Sequence, residues 1–475
     1  MSRGRLSYMY MNGSQMIGSS EREVFMHTTT ILSPCGILGY GFPLKSFEAA
    51  LAEKPDAIVV DAGSTDAGPH KLGAGVGIVS RMAAKKDISR LMSGARQLSI
   101  PLLIGSAGGS GARKHTQWTL DIIREVADEM SWAPKIAIIW ADIPKDDILA
   151  AQKAGQLTGM SENVPELTEE ALNETNGVVA QMGAEPILKA LKDHPDIIVC
   201  GRAYDPAPFA AVGILRGHDA ALCYHLGKIL ECGTLCAEPG TTKDVMLGRL
   251  DENGFEVWAA NPERKCTPTS VAAHTFYEKD HPYLLKGPGI LLDLEYCTFT
   301  QVSDGRVRVE GSRITYPPYT IKLEGARKNA YRTFVLAGIR DPLLIEKVDE
   351  VEEAVTASVR EYYEDIPADS YQIRFVHYGL DGVLGELEPD RTLPHEIGLM
   401  FEVIADTQDM ADAICATTRS AYLHYGYPGR KSTAGNLAFP FAPSDISYGP
   451  VYAFSVYHLM NVDDPCRYFP IEWLS

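Results

Sequence analysis

Between residues 28 and 235, short runs that are apolar at almost every position alternate with longer amphipathic stretches. The runs are Thr29-Thr-Ile-Leu32, Ala57-Ile-Val-Val-Asp61, Leu102-Leu-Ile104, Lys135-Ile-Ala-Ile-Ile-Trp140, Gly177-Val-Val-Ala180 and Asp196-Ile-Ile-Val-Cys200. A strand with one wet face alternates polar and apolar residues, so strands apolar throughout belong in a parallel sheet covered by helices. One such helix lies between the second and third runs. Its stripe of Ile88, Leu91, Met92, Ala95 and Leu98 faces a core and leaves Lys85, Lys86, Asp87 and Arg90 toward water. The β-then-α repetition fits a wound sheet or a barrel. Uneven spacing between the runs favours a mostly parallel α/β wound sheet with helices on both faces.

Past Cys236 the pattern changes. Glu256-Val-Trp258, Gly289-Ile-Leu-Leu-Asp293, Thr298 to Val302, Arg306-Val-Arg-Val-Glu310 and Tyr319 to Leu323 read as antiparallel strands, with Asp304-Gly305 as a hairpin turn. Then follow a strand at Arg332 to Ala337, a helix from Pro342 to Tyr363, strands at Tyr371 to His377 and Glu396 to Glu402, a helix from Asp409 to His424 and a strand at Val451 to Val456. That β-α-β-β-α-β order predicts a ferredoxin-like α+β unit. The expected organisation is an extension over 1–26, an α/β substrate-binding domain over 27–245, a β-rich segment over 246–330 and the ferredoxin-like domain over 331–475.

A chain of 475 residues with a formal charge of −18 is long enough for several cores and ill suited to a nucleic-acid groove. Its nine cysteines include no Cys-x-x-Cys pair, which predicts reduced thiols and a cytoplasmic protein. Cys232 and Cys236 are expected to pack rather than bind metal. No run reaches the roughly 18 apolar residues of a membrane span, and the first residues lack a signal-peptide core.

Chemistry is expected at the carboxyl ends of the parallel strands, where loops converge. The second strand leads into Asp61-Ala-Gly-Ser-Thr-Asp66 and on to Pro69-His70, with Ser64 between the acids. After the third comes Gly105-Ser-Ala-Gly-Gly-Ser-Gly111, in which Ser106, Gly108, Gly109 and Ser110 could turn backbone N–H groups onto a carboxylate or phosphate. Neither a dinucleotide fingerprint nor a P-loop lysine is present, so no redox or organic cofactor is predicted. Asp142 follows the fourth strand, and Arg202 and Asp205 follow the sixth. Asp61, Ser64, Asp142 and Asp205 join the loop as expected substrate contacts, although Asp205 before Pro206 also reads as a helix cap. Arg202 can fork onto a carboxylate, and Asp66 with His70 can exchange protons. Asp61 and Asp66 are also the possible ligands of a divalent ion. His115, at a helix start, suits a neutral hydrogen-bonding role. His274, His281 and Lys286-Gly-Pro-Gly289 form a second polar cluster, for which a turn is the simpler account.

Gly201-Arg202-x-x-Asp205-Pro206, Leu230-Glu231-Cys232-Gly233, Tyr277-Glu278 and Arg306-Val-Arg-Val-Glu-Gly311 resemble the acyclic terpene utilisation family over about Thr30 to Gly338. Gly39-Tyr-Gly-Phe42, Asp61 to Asp66 and Gly105 to Gly109 are similar to a closer subgroup. The tail from Asp445-Ile-Ser-Tyr-Gly-Pro450 to Asp463-Asp-Pro465 is similar to a small companion domain encoded beside this family. The resemblance implies breakdown of branched terpenoid acids and their CoA esters, without naming a reaction.

Together these features predict a cofactor-independent, non-redox enzyme acting on a small organic carboxylate or acyl-CoA ester, most simply a lyase of the hydratase type, working as a homo-oligomer. The alternatives are an ester or lactone hydrolase, with Ser64, Ser106 or Ser110 as nucleophile and His70 as base, and a non-catalytic scaffold or regulatory subunit.

Overall fold

Five of the six apolar runs pair in parallel, in the order Thr29–Ser33, Ala57–Asp61, Leu102–Gly105, Ile197–Cys200, Ile136–Ile139. They are seen in a computed structural model that describes residues 28–277, 279–431 and 433–474. The expected extension over 1–26 lies outside the described residues.

Every residue of these five strands is buried, and the period of two sends alternate side chains to two different cores. Ile31, Val59, Leu103, Ile139 and Ile198 meet helices Ala207–Leu215 and Ala220–Leu230 on one face. Leu32, Ile58, Val60, Ile104 and Val199 meet helices Leu44–Ala52, Arg81–Leu98 and Arg113–Glu129 on the other. The Arg81–Leu98 helix starts where the Ser80 hydroxyl accepts from the Ala83 N–H, and it ends as Ser99 turns left-handed. Its buried stripe is the expected one except at two positions. Leu98 is only partly buried, and Asp87 is buried, accepting the N–H groups of Gly39 and Gly41 at 2.9 and 3.0 Å. The carboxylate is therefore anchoring a glycine turn rather than facing water.

Antiparallel strands flank the parallel array on both sides. Met246–Leu250, Gly254–Ala259, Arg306–Glu310 and Thr298–Ser303 extend it beyond Thr29–Ser33, so part of the β-rich segment shares the first sheet. Ile471–Leu474 closes the other edge against Ile136–Ile139, and the Trp140 indole donates to Glu472 at 2.9 Å. The chain thus returns to its first sheet at its last described residues.

The sixth run behaves differently. Val178–Ala180 leaves the parallel array and pairs antiparallel with Leu323–Gly325. Its partner is a 20-residue strand, Thr320–Ile339, where two short strands were expected. At about 3.3 Å per residue it runs roughly 65 Å. It pairs along most of its length with Asp445–Asn461, through three register shifts. Its first half lies against the α/β unit. Its second half pairs with Ile397–Ala405, which in turn pairs with Tyr371–Tyr378. Helices Val348–Tyr362 and Gln408–His424 cover this second part and form a third core with Val335, Leu399, Phe401 and Val403. The single helix expected from Pro342 breaks at Lys347 into Pro342–Glu346 and Val348–Tyr362. The whole is a mixed α/β protein with parallel and antiparallel strands.

Candidate functional site

At the carboxyl end of the parallel array, the α/β unit, the small sheet Leu284–Gly287, Ile290–Asp293, Arg313–Thr315 and the long ribbon enclose a cleft of about 700 Å³. Tyr204, Ile290, Leu291, Pro317, Pro318 and Leu459 give it apolar walls, and Arg202, Lys228, Lys286 and Lys322 bring four cations against two carboxylates, Asp66 and Asp205. In a chain of net charge −18 that is a local reversal of sign.

The floor is a buried ion network. Arg202 is 1% exposed and Glu324 fully buried. Arg202 Nε donates to Glu324 Oε2 at 2.8 Å, while Nη1 donates to Ser106 Oγ, the Ala203 carbonyl and Asp205 Oδ1, each at 3.1 Å. Glu324 also pairs with Lys322 at 2.7 Å and accepts from the Thr65 hydroxyl. Burial alone would raise the Glu324 pKa, but Arg202 and Lys322 outweigh it and hold the carboxyl down at about 2. Lys228 pairs with Glu231 at 2.8 Å. For Asp205 the balance reverses: burial raises its pKa more than Arg202 and Lys228 lower it. Burial likewise pushes up Glu231, against Lys228 and with Asp205. Asp61 is raised well above the carboxylate range by burial, then by Asp205 and Glu231. The floor therefore holds one carboxyl whose pKa its cations hold down and three whose pKa burial raises, beside three cations.

Tyr204 supplies a further polar atom. Its ring lies along the cleft, and its hydroxyl, in a residue 8% exposed, has no hydrogen-bond partner among the described residues. Close packing holds the ring, since a Cβ on Gly287 would come within 2.5 Å of it. The Lys286-Gly-Pro-Gly289 turn is thus a wall of the cleft.

The residues singled out from the sequence fall into three groups. Asp66, Arg202 and Asp205 line the cleft. Asp205 does not cap a helix: Pro206 occupies the cap position of Ala207–Leu215 and the carboxylate faces Arg202. Arg202 in turn spends Nε and Nη1 on the protein itself. Asp61, Ser64 and Ser106 stand behind the floor, Ser106 through Arg202 and Ser64 through its hydroxyl, which accepts the Asp66 N–H at 3.1 Å. Asp61 Oδ1 and the Ser110 hydroxyl are buried without partners.

The other residues lie elsewhere. Residues Ser106 to Gly111, Gly108 and Gly109 included, are buried, and the N–H groups of Ala107, Gly109 and Gly111 go to Cys200, Ser106 and Ala107 carbonyls at 3.0, 3.0 and 3.2 Å. The glycines serve close backbone approach, and three N–H groups of the expected anion cradle go to the protein's own carbonyls. Gly111 is the tightest position: at φ +65°, a Cβ would sit 2.1 Å from the Arg202 nitrogen. Gly111→Ala is expected to cost at least about 2 kcal/mol, measured by urea unfolding, because the Arg202 backbone would have to move. His70 begins the short helix His70–Ala74 and packs against the rings of Tyr448 and Tyr452 at 5.8 and 5.5 Å, outside the cleft. Asp142 accepts the Arg113 N–H at 3.0 Å, and His115 reaches the Lys71 and Val76 carbonyls at 3.2 and 3.1 Å. Burial lowers the His115 pKa, in keeping with a neutral ring. Neither Asp61 nor Asp66 joins a group of three possible metal-ligating side chains among the described residues.

Sequence reasoning missed Tyr204, Lys228, Lys322 and Glu324. Period two along the ribbon puts Lys322 and Glu324 on one face and Ile321 and Leu323 on the other. Nothing local to that strand says that the charged face meets Arg202, 122 residues away.

All nine cysteines are free thiols, six of them buried, and no described helix is long and apolar enough to cross a membrane. The family profile described as acyclic terpene utilisation family protein AtuA matches residues 101–444, well over half of the chain. The match starts later than the resemblance near Thr30 and runs on through both central helices of the second unit, stopping before Asp445. No curated protein and no solved structure gives a significant match.

Proposed function

The chain belongs to the acyclic terpene utilisation family, and from that premise we propose that it is a non-redox enzyme acting on a small branched carboxylate or its acyl-CoA ester. The observation that carries this reading is the cleft, with its apolar walls, cationic floor and the unpartnered Tyr204 hydroxyl. Apolar walls suit a hydrocarbon chain, and fixed cations suit the carboxylate or the oxygen of a thioester.

A lyase of the hydratase type uses the parts best. Such a step breaks a C–H bond beside the carbonyl and expels water or another group from the neighbouring carbon, while electron density collects on the carbonyl oxygen. Lys228 and Lys322 offer positive potential to that oxygen, with the Tyr204 hydroxyl as a donor. Asp66, exposed at the cleft, is the candidate base. Asp205, whose pKa burial raises, keeps its proton to higher pH than an ordinary aspartate and is the candidate acid for the leaving group. His70 has no part in this scheme, and Arg202 acts by holding Asp205 and the ribbon in place. The ferredoxin-like reading of the β-α-β-β-α-β unit gives the chain a second body that supplies half of the ribbon and leaves the chemistry to the first.

A thermal-shift screen tests the proposal. Branched aliphatic carboxylates and their CoA esters at 100 times Kd should stabilise the protein by about 2.7 kcal/mol. Straight dicarboxylates without an apolar arm should do less, and nucleotides nothing. Stabilisation by NAD or nucleotides but by no acyl compound would sink the reading.

A further inference from the structure

A second cluster of side chains lies far along the chain from the cleft, in the unit built around the second half of the ribbon. Helix Val348–Tyr362 carries Asp349 and Glu352 three residues apart, on one face. The strand Tyr371–Tyr378 offers His377. One ligand atom from each of the three lies within 4.8 Å of the other two, and they form the one such group among the described residues.

The surroundings of His377 go beyond a chance meeting of acids. Its Nδ1 lies 3.3 Å from Asp381 Oδ1, and Asp381 Oδ2 lies 3.3 Å from Arg391 Nη1. An outer carboxylate on one ring nitrogen fixes the tautomer and leaves the other nitrogen free to ligate, the arrangement that metal-bound histidines use. Here the other nitrogen, Nε2, faces Glu352 Oε1 at 2.8 Å, and the Tyr422 hydroxyl donates to the same oxygen at 3.0 Å. His377 and Glu352 are 6% and 7% exposed, so their geometry is fixed by the core, while Asp349 stands exposed at the entrance. Outside them an open cavity of about 660 Å³, lined by Asp349, Glu352, Glu353 and Arg360, gives an ion and its water a way in.

We propose that Asp349, Glu352 and His377 form a binding site for a divalent transition ion such as Zn²⁺. Imidazole nitrogen with two carboxylates is a donor set for zinc or manganese rather than for calcium or magnesium, which take oxygen ligands. Three protein ligands leave the fourth position to water from the cavity. The ion would tie helix Val348–Tyr362 to the sheet by replacing the direct His377–Glu352 contact.

Calorimetric titration of the chelator-stripped full chain with Zn²⁺, with Mg²⁺ as comparator, tests this. One Zn²⁺ per chain is expected, with Mg²⁺ far weaker. Asp349→Asn, at an exposed position, should weaken Zn²⁺ binding at least about tenfold, and Asp381→Asn, which alters the outer partner of the imidazole and its pairing with Arg391 but no ligand, about 10- to 100-fold. Circular dichroism of both variants checks that the fold is kept. Absence of one-to-one Zn²⁺ binding by the wild type, or wild-type affinity in both variants, would overturn the proposal.

Discussion

Glu324→Ala is expected to destabilise the protein by about 3–5 kcal/mol, read as a fall in the urea midpoint at unchanged slope. Removing this carboxylate leaves Arg202, 1% exposed, without the acceptor of its Nε, and leaves Lys322 without its 2.7 Å partner. A buried guanidinium cannot shed its charge by deprotonation, so the cost of desolvating it stays uncompensated. A pair at the surface behaves differently. Arg327 and Glu174 are joined by an ion pair whose side chains are 36% and 61% exposed, and Glu174→Ala should cost under about 1 kcal/mol.

The same buried glutamate gives an acid dependence with a definite sign. Its folded pKa, about 2, lies below the roughly 4.3 of an unfolded glutamate. The stabilisation it contributes is therefore complete above the unfolded value and is lost as pH falls from about 4 through about 2. Asp61, Asp205 and Glu231 act oppositely. With folded pKa values raised by burial, they cost stability increasingly as pH rises above the ordinary carboxylate range. An acid titration of Glu324→Ala should lack the steep loss below about pH 4 that is expected of the wild type.

How far this network could be read from sequence depends on the range of each interaction. Strands such as Ala57–Asp61 and Ile197–Cys200 were legible because burial on both faces leaves a local mark, a run without polar residues. The strand ends were legible for the same reason, and Asp66, Arg202 and Asp205 do meet in one cleft. Val178–Ala180 has the same apolar mark but pairs with the ribbon, since apolarity reports burial and not the partner strand. The glycine loop is ambiguous in sequence because glycine permits close approach to a ligand and to the protein's own backbone alike, and at Gly111 the neighbour is Arg202. Lys228 and Glu324 carry no local mark of function: one lies in an apolar helix and the other in a strand of alternating pattern. Only the fold brings them to the floor.

Asp205→Asn should lower turnover by about 100- to 10,000-fold on whichever acyl compound the thermal-shift screen identifies, with little change in stability. Asparagine keeps the size of the side chain and an oxygen that can still accept from Arg202 Nη1, which lies 3.1 Å from Asp205 Oδ1. What it loses is the acidic proton. The wild-type profile gives a second reading of the same step. An acid catalyst works in its protonated form, so activity should persist below the raised pKa of Asp205 and decline as pH climbs through it, on a limb displaced upward from that of an exposed aspartate by burial. That limb should be missing from the residual activity of Asp205→Asn. His70→Ala is the comparison, because His70 packs against Tyr448 and Tyr452 outside the cleft and should retain turnover within a few-fold. Tyr204→Phe separates binding from chemistry. It keeps the ring against Gly287 and removes only the unpartnered hydroxyl, so a fall in kcat with unchanged KM would place that hydroxyl on the developing oxyanion. Wild-type turnover in a folded Asp205→Asn protein would remove Asp205 from the scheme as the acid.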